Sequence, residues 1–172
     1  MSPTRSPMNQ SDNHDAHQPL PVEEEAHGAV VEWLARDSRG HVAVFSSVAS
    51  ADVLPPWLDE LDEHGRALAA LLEVPPTTRS VFGPPLGNER GERWRALVER
   101  GLFVFAAYRS GGPYWIAEAP QMPLHVLDLP ASAGELIARL VPLSIPFKHV
   151  ASVMPDSLGH PRQVGMLGQR LS

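Results

Sequence analysis

A chain of 172 residues with a hydrophobic share of 43% is long enough to bury one domain-sized core. Its net charge of −6 repels a phosphate backbone rather than neutralising it, which argues against a nucleic-acid partner. The absence of cysteine excludes disulfides, thiolate catalysis, cysteine-bound zinc and a lipoprotein thioether anchor.

Residues 1–27 are polar and proline-bearing, with almost no large apolar side chain to offset the entropy of ordering, so a disordered leader is expected there. The leader lacks the apolar stretch of a secretory signal, and no later window approaches the roughly 18 apolar residues of a membrane span. The expectation is a cytoplasmic protein that does not enter a membrane. With 18 prolines and 13 glycines, its elements should be short and often interrupted.

Order is expected from Gly28. "AVVEWLAR", the turn-rich "DSRG" and "HVAVFSS" read as a β-hairpin with Gly40 at positive φ. Alternation puts Val31, Trp33 and Ala35 on one face, and Val30, Glu32, Leu34 and Arg36 on the other. On the returning strand, Val42 and Val44 oppose His41, Ala43 and Phe45. Neither face is wholly polar, so part of the sheet should be covered on both sides.

From Pro55 to about Leu72 the apolar residues Trp57, Leu58, Leu61, Leu68, Leu71 and Leu72 recur at helical spacing. An amphipathic helix weakened at Gly65 is predicted, followed by a loop through "VFGPPLG". A second helix should start after Asn88 as N-cap and end at Gly101 as C-terminal cap. "GLFVFAAY", "RSGGP" and "YWIAEA" read as a second hairpin at the centre of the core. "MPLHVLDLP" continues extended, Asp128 or Ser132 should cap a short helix carrying Leu136, Ile137 and Leu140, and "VPLSIPF" should close as an edge strand.

The order hairpin, two helices, hairpin, strand, helix, strand segregates strands from helices. It predicts an α+β fold: a single domain over residues 28–154, with a mainly antiparallel sheet, about three helices and a tail at 155–172.

The motifs contain no familiar catalytic pattern. His14, Asp15 and His17 lie close together, but in a flexible leader they would bind a metal only at a cost in chain entropy. Glu60 and His64 share a helix face without the HExxH spacing of a zinc hydrolase, so an exposed intrahelical hydrogen bond is expected. There is no GxSxG elbow, P-loop or GxGxxG run. His41 and His125, alone in their strands, read as hydrogen-bonded or half-exposed residues, and Asp37 and Gly40 read as turn residues. No catalytic residue, metal or cofactor is predicted. Asp59, Glu60, Asp62 and Glu63 give the first helix an acidic face suited to a basic partner.

The hairpin "WLARDSRGHVAVF", the proline-led helix after it and "YWIAEAPQMPLHVLDLP" resemble a group of small bacterial proteins similar to the immunity proteins that neutralise polymorphic toxins. The resemblance spans residues 29–150 and rests on hydrophobic patterning and turns. It implies a cytoplasmic protein that acts by occupying a toxin's active site or another partner surface, and it assigns no role to any single residue. The expected interface is the acidic run Asp59, Glu60, Asp62 and Glu63 with Trp57 as an aromatic anchor. Two other readings stay open: a small-ligand-sensing or accessory domain, and a metal-independent enzyme whose residues converge only in the fold.

Overall fold

Four residues, Asp37 to Gly40, turn β1 (Val30–Arg36) back into β2 (Val42–Val48), and the turn closes through Asp37 N–H to His41 C=O at 2.9 Å. Gly40 has φ +82°, as its place in the turn demands. The computed structural model describes residues 30–48, 61–82, 89–108, 112–140 and 142–158. Among these the fold is α+β, with three α-helices and a six-stranded, mostly antiparallel sheet.

The second hairpin joins β4 (Phe103–Ala107) to β5 (Tyr114–Pro120). The two hairpins lie side by side through one parallel pair, β2 with β4, whose crossover carries α1 (Leu61–Leu72), β3 (Ser80–Phe82) and α2 (Glu89–Val98). The sheet runs β1-β2-β4-β5-β3, and β6 (Ser152–Val153) also pairs with β5. A third helix, α3 (Ala131–Arg139), packs against α1.

Both faces of the sheet are buried, as the alternation in the first hairpin predicts. Leu34, Val42, Val44, Val104, Ala106 and Ala117 face the three helices, which contribute Leu68, Leu71, Trp94, Leu97, Leu136 and Ile137. The opposite face carries an aromatic ladder. Trp33, Phe45 and Phe105 are register partners on adjacent strands, with ring centroids at 5.7 and 5.1 Å and near-parallel planes. Tyr114 meets Trp33 and Phe45 edge-on. Each such pair contributes about 0.5–1.5 kcal/mol beyond its buried area. A strap through Leu143, Phe147 and Val153 covers this ladder and is built into the core as far as Leu158.

Residues Pro55 to Glu60 of the expected first helix, Trp57 included, and the N-cap Asn88 lie outside the described residues. Among the described residues, several elements differ from the sequence reading. Residues 142–147 of "VPLSIPF" do not form a strand: Leu143 makes an isolated bridge to Asp37, and a 3₁₀ turn follows at Phe147–His149. Pro142 and Pro146 remove ladder donors, while Leu143 and Phe147 seat in the core. Neither Asp128 nor Ser132 caps α3, which begins after Pro130 without a side-chain cap; Asp128 belongs to the 3₁₀ turn Val126–Asp128. Within "VFGPPLG", Val81 and Phe82 form part of the short strand β3 instead of a loop.

At the end of α2, Gly101 N–H bonds Val98 C=O at 2.8 Å and Leu102 N–H reaches Leu97 C=O at 3.3 Å, the double bond of a Schellman cap. Gly101 has φ +92°, and a Cβ there would stand 2.7 Å from the Leu124 amide nitrogen. That nitrogen donates to Gly101 C=O at 2.8 Å, so the cap also receives the segment leading to α3. Gly65 is the contrary case, exposed inside α1 with open space where a Cβ would go. Gly101→Ala is expected to destabilise by more than about 1 kcal/mol. Gly65→Ala is expected to stabilise by about 0.5–1 kcal/mol. Urea unfolding of both variants checks the pair, and equal effects would contradict this account.

Candidate functional site

Of the acidic run of the first helix, the structure describes Asp62 and Glu63, and these lie in different environments. Trp57, Asp59 and Glu60 lie outside the described residues. Asp62 is exposed in the first turn of α1, and Glu63, half-buried beside it, accepts a hydrogen bond from Arg139 of α3. The bond expected between Glu60 and His64 involves a residue outside the described ones, but His64 itself is not exposed as that reading had it. It is buried among Ala67, Leu68 and Leu71 on the inner face of α1, where its Nδ1 accepts the Leu34 amide at 3.0 Å. Burial holds its pKa below the ordinary histidine value, against the opposing charge of Glu63.

A second concentration of polar groups forms at the turn between β1 and β2. The Asp37 side chain is fully buried, and its Oδ1 accepts the amides of Arg39 and His41, both at 2.9 Å. Its Oδ2 accepts the Phe147 amide at 3.1 Å and stands 3.2 Å from His41 Nδ1. This arrangement orients the His41 ring and directs its Nδ1 proton at the carboxylate, which leaves Nε2 as the basic atom.

The structure brings together the two strand histidines that the sequence leaves separate. His41 and His125 form an isolated antiparallel bridge, with ring centroids 6.4 Å apart and planes nearly perpendicular. His125 Nδ1 accepts the Leu127 amide and caps the 3₁₀ turn after it, and the ring lies where a Cβ on Gly40 would be. On the outside of the same turn Arg39 Nη1 lies 3.4 Å from His149 Nε2. Among the described residues no three His, Asp or Glu side chains are grouped to hold a metal ion.

Two more carboxylates are engaged inside the fold. Glu32 on β1 accepts from Arg93 Nε at 2.8 Å and from Trp94 Nε1 at 3.3 Å. A bulge between Val104 and Phe105 of β4 sets Glu118 of β5 opposite Val104. There Arg95 grips it with Nε at 2.8 Å and Nη2 at 3.2 Å. These hydrogen bonds, and then the charge of Glu118, raise the Arg95 pKa above its ordinary value. Burial likewise pushes the Tyr114 phenol up, against a hydrogen bond with Ser47.

Sequence reasoning missed the depth at which Asp37, His64 and Glu118 sit. For Asp37 the available signal was the Asp-x-x-Gly-His spacing, which places a carboxylate and an imidazole on the two arms of one tight turn. For His64 it was the helical register shared with Ala67, Leu68 and Leu71. Glu118 offered no such signal, because its position depends on the bulge. The sequence matches no protein-family model, and comparisons with curated proteins and with solved structures gave no match.

The chemistry at the turn is structural before anything else, because one carboxylate satisfies three backbone amides. Asp37→Ala strands those donors, with an expected cost of about 3–5 kcal/mol. Asp37→Asn keeps one acceptor oxygen and is expected to cost about 1–3 kcal/mol. Urea unfolding checks both, and a change below about 0.5 kcal/mol for the alanine variant, the level of an ordinary surface substitution, would show that the turn does not depend on the carboxylate.

Proposed function

We propose that this chain is a non-catalytic, cytoplasmic protein-binding module that covers a basic surface on its partner, in the manner of the toxin immunity proteins it resembles. One observation carries the reading: α1 is clamped by its inner face, so Asp62 is presented to solvent from a fixed position, with Glu63 beside it paired to Arg139. His64, Ala67, Leu68 and Leu71 are buried, and the His64 bond to β1 sets the rotation of the helix. A preorganised charged face loses little entropy on docking, and its field steers an oppositely charged partner.

The buried polar groups support the same reading by their engagement elsewhere. Asp37, His64 and Glu118 are each bonded to groups of the fold itself. The net charge of −6 favours a basic partner, and no helix among the described residues is long and apolar enough to cross a membrane.

A metal-independent enzyme has one observation in its favour, the hold of Asp37 on His41, which leaves an oriented imidazole. The three amides on the same carboxylate account for that geometry without a reaction.

The test is capture from a lysate with the full chain as bait, followed by titration of the purified captured protein. The comparison is the variant Asp59→Ser, Glu60→Ser, Asp62→Ser, Glu63→Ser. One stoichiometric basic partner is expected, bound at least tenfold more weakly by the variant and more weakly as salt rises. Equal affinity for both forms would remove α1 from the interface. A partner that binds independently of salt would remove charge as its basis.

A further inference from the structure

The outer edge of β1 is closed by a side chain that can take up a proton. Asp37 N–H bonds His41 C=O toward β2, so alternation along the strand turns the amides of Leu34 and Arg36 away from it. An edge strand with outward amides is a template for unwanted pairing unless something covers it. Here the Arg36 carbonyl accepts the Leu143 amide at 2.8 Å, and the Leu34 amide donates to His64 Nδ1 at 3.0 Å. A helix side chain therefore does the work of a neighbouring strand.

That arrangement admits one protonation state. An imidazole that accepts through Nδ1 is neutral and carries its proton on Nε2. A second proton has to enter at Nδ1, between two nitrogens already at hydrogen-bond distance, where the new N–H would face the Leu34 N–H. The ring is also buried, so its charge would be desolvated.

We propose that His64 is a proton-sensitive clasp, which in its neutral form seals the β1 edge under α1 and on protonation releases the Leu34 amide and lifts the first turns of α1 from the sheet.

The charged groups on the packed elements leave the clasp poised this way. On α1, Glu63 favours the protonated ring but is occupied by Arg139 of α3. On β1, Glu32 is held by Arg93 and Trp94, while Arg36 donates to the carbonyls of Leu140 and Ala138. On α2, Arg95 is bound to Glu118, and Arg100 donates to the Leu72 carbonyl at the far end of α1. Glu135 of α3 is exposed. Burial therefore outweighs Glu63, and the folded pKa falls below the ordinary 6.5.

A folded pKa below the unfolded one means that the folded protein binds fewer protons. The contribution of His64 to stability is thus complete above pH 6.5 and is lost as the pH falls from there through the folded value, by at most tenfold in the equilibrium constant per pH unit. Because α1 bears Asp62 and Glu63, the clasp also governs how firmly the acidic face is held. It rests on the Leu34 bond alone, and does not require that face to bind a partner.

The experiment is amide exchange on the full chain from pH 7.5 to pH 5.0, corrected for intrinsic exchange, comparing Leu34 with Phe105 in the centre of the sheet. His64→Asn supplies an oxygen near the place of Nδ1 that accepts but does not titrate. In the wild type, protection of Leu34 relative to Phe105 is expected to fall progressively as the pH drops below 6.5, and in the variant to stay flat. A constant ratio in the wild type, or the same fall in the variant, overturns the clasp. Should the variant not fold, the NMR titration of the His64 ring in the wild type decides. Nδ1 protonation in step with the loss of Leu34 protection supports the clasp, and protonation that leaves Leu34 protected overturns it.

Discussion

The buried carboxylate of Asp37 is the constraint on which the sheet depends. Its Oδ1 gathers the amides of Arg39 and His41 and so fixes the turn. Its Oδ2 reaches the amide of Phe147, which lies 110 residues further along the chain. Hydrogen bonds to a carboxylate are about twice as strong as neutral ones, and a buried carboxylate without them would be costly. One side chain thus sets the hairpin register and anchors the strap over the aromatic ladder. The register matters because a slip of one residue would send Trp33 and Phe45 to the helical side and Leu34 and Val44 to the strap.

On the helical side, apolar burial supplies most of the attraction, and each helix has its own polar tie to the sheet. His64 joins α1 to the Leu34 amide. Arg93, Trp94 and Arg95 join α2 to Glu32 and Glu118. Arg36 donates to Leu140 and Ala138 at the C-terminal end of α3, where a cation also complements the helix dipole. Apolar contact is tolerant of rotation and sliding, whereas these bonds have one geometry each. The division explains why buried polar groups persist in a fold that apolar contact alone would hold together loosely.

Much of this architecture was legible because it follows from period and turn chemistry. Alternation in "AVVEWLAR" and "HVAVFSS" assigned the two buried faces, and Gly40 and Gly101 marked the two positive-φ positions among the described residues. The failures share a cause. "VPLSIPF" has the composition of a strand, yet two prolines deny it a ladder, and its apolar residues are used by the aromatic face instead. Asp128 and Ser132 are good capping residues, but α3 starts between them, after Pro130. The bulge that turns Glu118 toward Arg95 arises from the pairing of β4 with β5 and leaves no trace in the local pattern.

The candidate site was harder to read because the role of a charged residue is set by donors distant in sequence. Asp62, Glu63 and His64 are consecutive, and local pattern says only that position 64 turns inward with 67, 68 and 71. Asp62 stays in solvent, Glu63 is taken by Arg139 from α3, and His64 takes the amide of Leu34 from β1. Asp37 and Asp62 are the same residue type, each beside a helix or hairpin terminus. The first became a structural centre because the Phe147 amide arrives there, and the second stayed a surface charge because no donor does among the described residues. In this chain, local periodicity chooses the element and the face, and long-range partners then decide whether a polar side chain builds the fold or is left to meet another molecule.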